Sequence, residues 1–166
     1  MRPFQLAGTQ LYFPAMFRIE LMDWDKAREE ASRIRFAVFV EEQRVPVAIE
    51  LDEMDARSLH ALAYAEDGAP VATGRLLPQE QEGARAVGHV GRMAVLKDWR
   101  GRGVGAAILA ALLEQARRRG DEEIVLSAQT HALGFYRRHG FTAVGSEYEE
   151  AGIPHQLMRR NVLNPP

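Results

Sequence analysis

Residues Trp99–Gly120, WRGRGVGAAILAALLEQARRRG, set three glycines at alternate positions directly before a strongly helical segment. A glycine has no Cβ, so its backbone tolerates positive φ, and such a loop can turn several N–H groups toward one concave surface. The first turn of the helix adds N–H groups without intrahelical partners and a partial positive charge. Arg100 and Arg102 add guanidinium groups suited to phosphate oxygens. The stretch therefore predicts a pyrophosphate-binding site at a helix N-terminus.

The segment after the glycines predicts a helix that packs on a sheet. Ile108, Leu109, Leu112 and Leu113 recur at helical spacing and form one apolar face. The arginines near its end suit the free carbonyls of a helix C-terminus, and Gly120 is the expected C-cap.

Several nucleotide-binding patterns compete for the glycine-rich loop. A P-loop requires lysine and then serine or threonine after the last glycine, where this chain has Ala106 and Ala107. The dinucleotide fingerprint fits the spacing of Gly101, Gly103 and Ala106, but it should directly follow a strand, and LKDWR intervenes. The pattern Arg-x-x-Gly-x-Gly between a strand and an amphipathic helix fits Arg100–Gly105. A glycine-rich turn with solvated arginines is the remaining alternative.

Length and composition exclude several classes of protein. The 166 residues suit one domain, and 21 basic against 23 acidic side chains leave a net charge of −2, so nothing indicates nucleic acid or an anionic membrane surface. The absence of cysteine excludes disulfides and thiolate metal sites, and no apolar run approaches the ~20 residues of a membrane span. The first fifteen residues lack a signal core, so we expect a cytoplasmic protein. Residues 1–15 are predicted to be an N-terminal extension, and residues 16–166 a single domain.

Strands and helices alternate along the rest of the chain. Phe17–Leu21 predicts a strand, and Asp23 is the expected N-cap of a long helix that ends before Pro46. The apolar face of that helix is predicted to comprise Ala27, Ala31, Ile34 and Val38. Further strands are expected at Leu59–Ala65, Pro70–Leu77, Gly88–Leu96, Glu123–Gln129, Phe141–Glu150 and Ile153–Arg160, with a short helix at His131–His139.

The loop with the Arg-x-x-Gly-x-Gly pattern resembles the pyrophosphate loop of the GNAT superfamily of acetyl-coenzyme A dependent acyltransferases. HVGRMAV resembles the fourth strand of that fold, EIVLSAQ its fifth strand, and HALGFYRRHGF the helix and turn that follow. Within the superfamily the chain is similar to the ElaA-like group through VFVEEQRVP, ELDEMD, VLSAQTHALGFYRRHGF and GIPHQLMRR, which fall between Phe17 and Arg160. One departure is RVP after EEQ, where a cysteine-proline or similar pair is expected.

The resemblance implies the α/β GNAT acyl-CoA N-acyltransferase fold. This is a mixed, largely antiparallel sheet of about seven strands, in which the fourth and fifth strands splay apart, flanked by about four helices. It also implies transfer of an acetyl or short acyl group from acetyl-CoA to a small-molecule or peptide amine by direct attack in a ternary complex, without a metal. A homodimer is compatible with the superfamily. The implied cofactor-binding residues are Met93, Ala94, Val95, Arg100, Gly101, Arg102, Gly103, Val104, Gly105, Ala106 and Tyr136.

The reaction requires an acid and a base. Tyr136 matches the tyrosine that many superfamily members place beside the cofactor sulfur, so it is the predicted acid; the alternative is a packed core residue. An alkyl ammonium has a pKa near ~10 and must lose a proton before it attacks a thioester. Asp52, in an acidic loop with Glu50 and Asp55, is one candidate base, and a solvated loop is the alternative interpretation; His155 in GIPH is another candidate base.

The other polar residues do not determine the charge of the acceptor. His60 and His89 lie on predicted strands and are read as structural histidines. Arg75 and Arg92 can hold a carboxylate, so a purely cationic acceptor is not assumed.

Two other functions remain. One is acyl-homoserine-lactone synthesis, because RFAVFV, ELDEMD and GRLLP resemble the front half of those synthases. The other is a non-catalytic acyl-CoA sensor that keeps the cofactor site without a usable acceptor site.

Overall fold

Ten strands form one continuous sheet in the parts of the chain that the computed structural model describes, residues 6–7, 10–13 and 17–163. The order is β1-β2-β3-β4-β5-β7-β8-β10-β9, and β6 pairs with β7 beside this path. Every pairing is antiparallel except β7 with β8, which is parallel. The strands are β1 (Leu6–Ala7), β2 (Gln10–Phe13), β3 (Phe17–Met22), β4 (Leu59–Ala65), β5 (Pro70–Leu76), β6 (Glu80–Glu82), β7 (Arg85–Val95), β8 (Glu123–Gln129), β9 (Thr142–Glu150) and β10 (Ile153–Asn161).

Helices cover both faces of this sheet. Alternate side chains of β4 divide between them: Leu62 and Tyr64 pack with α1, whereas Ala61 and Ala63 belong to the core under α3. The helices are α1 (Trp24–Arg35), α2 (Val47–Glu50), α3 (Val104–Arg119) and α4 (Leu133–Arg138), with a π-helical segment at Phe36–Glu42.

The predicted apolar faces are buried as expected. Ala27, Ala31, Ile34 and Val38 of the first helical region are at most 4% exposed. The four apolar residues predicted for α3 are also buried, and Gly120 ends that helix with φ of 95°. Asp23 caps α1, because its side chain accepts a hydrogen bond of 3.2 Å from the Lys26 N–H.

The structure differs from the sequence prediction in the first helix and in the loop after β5. The long helix is α-helical only to Arg35 and continues as the π-helical segment. The polar loop after β5 contains an additional strand, β6, paired with the start of β7. Within the predicted N-terminal extension, β1 pairs with β2 and β2 pairs with β3 at the edge of the sheet. The division of the chain at residue 16 stays a prediction.

The strands β7 and β8 separate after a short parallel pairing. Their aligned residues are Val87 with Glu123, Gly88 with Ile124, and His89 with Val125. Beyond His89, β7 remains paired with β5 on its other edge, while β8 remains paired with β10. This separation opens a cleft in the middle of the sheet. No helix among the described residues has the length and apolar character needed to span a membrane.

Candidate active site

The cleft between β7 and β8 has a volume of about 1000 Å³. Its walls come from the two strands, the loop before α3, the π-helical segment, α4 and the start of β10. Arg102 and Asp52 are not among the residues that line it. The sequence-predicted site residues that do line it are Met93, Ala94, Val95, Arg100, Gly101, Gly103, Val104, Gly105, Ala106, Tyr136 and His155.

The N-terminus of α3 opens into this cleft without a side-chain cap. Gly101 and Gly103 have φ of 76° and 80°, the left-handed conformation predicted from the sequence. Gly103 is the N-cap residue and makes no side-chain capping hydrogen bond, so the first-turn amides of α3 have no acceptor within the helix. Gly105 lies inside the helix, and a Cβ there would stand 3.5 Å from Val95 and 3.7 Å from Phe135. Its missing side chain leaves room in the cleft rather than allowing a turn, which corrects the sequence interpretation.

The two arginines of this loop are held by protein groups. Arg100 donates from Nη2 to both carboxylate oxygens of Glu42 at 3.0 Å and from Nε to the Val95 carbonyl at 3.0 Å. The Arg102 guanidinium lies over the Trp99 ring, 4.8 Å from its centroid. Phosphate contacts by the two guanidinium groups and by the backbone amides of the loop stay a prediction.

The strand β7 contains an irregularity at the cleft. The register of β5 with β7 shifts between Thr73 and Arg75, opposite Arg92 and Met93. Arg92 has φ of 51°, a left-handed conformation within a strand. Beyond this bulge, Met93 to Val95 line the cleft on the edge of β7 that has parted from β8.

Tyr136 is buried at the wall of the cleft. Its ring makes edge contacts with Phe135 and Phe141, at centroid distances of 5.0 and 5.8 Å. Its hydroxyl forms no hydrogen bond with the described residues, and burial raises its pKa to about 12. Tyr136 is therefore packed in the core, as the alternative interpretation expected, and it also keeps a protonated hydroxyl at the cleft.

His155 also lines the cleft, at the start of β10. Its Nδ1 is 2.7 Å from the Ile153 carbonyl, a contact that assigns the proton of a neutral ring to Nδ1 and leaves a lone pair on Nε2. Nε2 is 3.5 Å from a carboxylate oxygen of Glu150, which also lines the cleft. The sequence interpretation missed Glu150, since a glutamate beside a predicted turn carries no distinctive pattern.

Residues 25–162 match the family model described as an acetyltransferase (GNAT) domain. The chain belongs to the GNAT acetyltransferase family. YjcF of Bacillus subtilis, named as an uncharacterized N-acetyltransferase, is 38% identical over 135 residues, which cover 80% of this chain and 91% of that protein.

Solved GNAT structures agree with this assignment. Escherichia coli ElaA is 30% identical, with a TM-score of 0.75 over 88% of this chain and 100% of that chain. An acyl-CoA N-acyltransferase from Pseudomonas aeruginosa is 32% identical, with a TM-score of 0.75 over 87% of this chain and 99% of that chain. The predicted GNAT fold and the resemblance to the ElaA-like group are confirmed, and this GNAT protein is an acyltransferase.

The acidic loop of this GNAT protein is an ion-paired cluster rather than a solvated loop. Arg35, 1% exposed, donates from Nε to Glu50 at 2.5 Å and from Nη1 to Asp55 at 2.7 Å. Arg75 donates to Asp55 at 2.8 Å and, through two nitrogens, to Asp52 at 2.7 and 2.9 Å. We call these five residues the buried ion cluster. The sequence interpretation missed Arg35, because helical spacing alone gave it no role.

These pairings change the expected chemistry of the loop. Hydrogen bonding from Arg75 is the main cause of the lowered pKa of Asp52, and this carboxylate also contacts Arg92 at 3.2 Å. Burial alone would raise the pKa of Asp55, but hydrogen bonds and charge from Arg35 and Arg75 outweigh it and lower the pKa. Both carboxylates are therefore weaker proton acceptors than a free carboxylate, and the role of Asp52 as base stays a prediction.

The remaining polar residues of interest are structural or bridge the cleft. His60 is buried, stands 2.9 Å from the Asp55 carbonyl and contacts Trp24, in agreement with its structural interpretation. Gln43 and Gln129 exchange two amide hydrogen bonds of 3.0 and 2.7 Å, and both line the cleft. This pair joins the end of the π-helical segment to β8.

Within the described ranges, no group of three or more His, Asp or Glu side chains is arranged to hold a metal ion.

Proposed function

We propose that this GNAT protein transfers an acetyl group from acetyl-CoA to an amine, by direct attack within a ternary complex. The observation that carries the proposal is that the uncapped N-terminus of α3 and the parted edge of β7 open into one cleft. Its volume of about 1000 Å³ lies at the upper end of the range for small-molecule sites. The cleft is therefore large enough for two substrates.

The residues present fit coenzyme A. The amides of the glycine loop and of the first turn of α3 suit its diphosphate, because oriented N–H groups and the helix dipole both favour an anion. The missing side chain of Gly105 leaves room beside Val95, and backbone groups of Met93 to Val95 suit an extended amide-containing arm. When bound, the cofactor supplies an acyl thioester with a thiolate leaving group.

Three features of the chain then perform the chemistry. His155 Nε2 accepts a proton from the acceptor ammonium, either directly or through water, which frees the amine lone pair. Backbone N–H groups at the β7 bulge donate to the oxygen on which negative charge develops. Tyr136 Oη holds its proton near the leaving sulfur.

The test is incubation of the purified protein with acetyl-CoA and a panel of amines, with free thiol as the readout. Amine-dependent thiol release, together with the acetylated amine by mass spectrometry, is the expected result. Coenzyme A binding without transfer to any amine would favour the sensor. Thiol release only with an acyl donor and S-adenosylmethionine would favour the lactone synthase.

A further inference from the structure

Arg92 occupies a strained backbone position inside a strand. Among the described residues, Arg44, Arg92 and Ala151 are the non-glycine residues with positive φ, and Arg92 is the one that lies in a strand. Glycine or asparagine would relax such a position, whereas an arginine there is uncommon. Strain of this kind persists where the surrounding structure enforces it, often at a functional site. The position therefore indicates that the Arg92 side chain has a use.

One end of the Arg92 guanidinium is fixed and the other is free. Nε donates to the Glu50 carbonyl at 3.1 Å, and Nη2 contacts the Ile49 carbonyl at 3.4 Å and Asp52 at 3.2 Å. Nη1 makes no hydrogen bond to any residue that the structure describes. Arg92 lines the cleft and its side chain is 30% exposed, so this nitrogen can donate to a ligand.

Arg92 lies at the edge of the buried ion cluster. The two arginines and three carboxylates of the cluster leave one negative charge, which Arg92 balances through a single contact with Asp52. Burial is the main cause of the lowered pKa of Arg92, followed by repulsion from Arg75 and Arg35. A negatively charged group in the cleft beside Nη1 would favour the charged form of this guanidinium.

The rest of the cleft divides into an apolar part and an opposite polar wall. Phe39, Val45 and Ile49 line the cleft on the same side of the molecule as the carbonyls that hold Arg92, and Ile49 is 51% exposed. On the other wall, Glu150 and the lone pair of His155 suit an ammonium group. A cation on one wall and an anion on the other match a zwitterionic molecule with an apolar body.

We propose that Arg92 binds a carboxylate of the acceptor, so that the acceptor is an apolar amino acid or a similar amine that carries a carboxylate. This inference rests on the proposed acetyltransferase function. It makes Arg92 a specificity-determining residue, with Asp52 and the carbonyls of residues 49 and 50 fixing the orientation of its guanidinium.

Matched acceptor pairs test the proposal: phenylalanine with phenethylamine, and leucine with isoamylamine. We expect kcat/KM to favour the carboxylate-bearing member by about tenfold or more, a factor that a charge-assisted hydrogen bond supplies. Arg92→Gln should abolish this preference by raising KM for the amino acid more than KM for phenethylamine. Arg92→Gly should also abolish the preference. Because it relaxes the bulge whose N–H groups are the proposed oxyanion donors, any loss of kcat should be equal for both members of a pair, while the increase in KM stays specific to the carboxylate-bearing member. The thermal unfolding midpoints of both variants show that the fold is kept.

Arg44→Gln is the matched control, because Arg44 also has positive φ but is exposed and does not line the cleft. It should retain the wild-type preference. Equal or better use of the amines without a carboxylate would overturn the inference and leave the acetyltransferase function intact. Equal losses of kcat/KM for both members of each pair in the Arg92 variants would also overturn it, since that result indicates a purely structural side chain. Failure to acetylate any amine would overturn both proposals.

Discussion

Replacement of Tyr136 by phenylalanine tests the role of its hydroxyl quantitatively. Burial raises the pKa of Tyr136 to about 12, whereas an alkyl thiol has a pKa of about 8.5. The two values differ by about 3.5, so complete proton transfer from the tyrosine to a thiolate is uphill by about 5 kcal/mol. The hydroxyl should therefore stabilise the leaving sulfur by a hydrogen bond rather than by complete protonation.

The expected loss follows from this argument. A hydrogen bond to a charged group contributes about 1.5–3 kcal/mol, which corresponds to a decrease in kcat of about 10- to 150-fold for Tyr136→Phe. The KM for acetyl-CoA should change less than about twofold, because the ring contacts with Phe135 and Phe141 remain. Since the hydroxyl stays protonated to well above neutral pH, the ratio of wild-type to variant rates should be constant from about pH 6 to pH 9.

Steady-state kinetics by thiol release, over this pH range, is the assay. Tyr64→Phe is the control, since Tyr64 is a buried tyrosine of β4 that packs under Arg18 and does not line the cleft. An unchanged kcat in Tyr136→Phe would remove the proposed role. A loss of several thousandfold, or one that varies with pH, would contradict the hydrogen-bonding argument.

Other variants test the cofactor loop, the base and the buried ion cluster. Glu42→Gln should release Arg100 and lower the Kd for coenzyme A by up to about fivefold, because a half-exposed ion pair contributes at most about 1 kcal/mol; isothermal titration measures it. His155→Gln should lower kcat at pH 7 by about 10²-fold or more, and the deficit should shrink as pH rises toward the amine pKa of about 10; a pH–rate profile measures it. Arg35→Leu should lower the free energy of unfolding by about 3–5 kcal/mol in urea titrations, since it leaves buried carboxylates unpaired. Because the folded-state pKa of Asp55 is lowered, its contribution to stability is present above about pH 4 and is lost as pH falls below that value.

Specific results would contradict these expectations. Glu41→Gln changes an adjacent exposed carboxylate and is the control for Glu42→Gln; equal effects would exclude a specific competition for Arg100. A His155→Gln deficit that stays constant to pH 10 would argue against proton removal by His155. A small stability loss in Arg35→Leu would mean that the carboxylates become protonated or hydrated at little cost.

The sequence was sufficient for most of the fold because its signals there are local. Asp23, Gly103 and Gly120 mark helix ends through capping and positive φ, and the apolar faces of α1 and α3 repeat at helical spacing. All three residues of β6 are exposed and polar, so the strand lacks the alternation that identifies a half-buried strand. The π-helical segment likewise carries no periodicity that separates it from an α-helix.

The candidate site was predicted less completely because it depends on contacts between distant segments. The sequence of the loop around Asp52 indicates a solvated acidic turn. In the fold, Arg35 and Arg75 lie beside this loop and pair with carboxylates that are 15 to 23 residues away from them in sequence. The loop pattern predicts that Arg100 is a phosphate ligand, but in the fold its guanidinium donates to Glu42, which is 58 residues away in sequence. Charge partners at such separations follow from topology, which local pattern does not encode.

The most direct measurement of the central claim is calorimetric titration of the protein with coenzyme A and, separately, with pantetheine, which lacks the diphosphate. If the amides of the glycine loop and of the first turn of α3 hold the diphosphate, coenzyme A should bind and pantetheine should bind at least about 100-fold more weakly. Equal affinities for the two compounds, or no detectable binding of coenzyme A, would contradict the account.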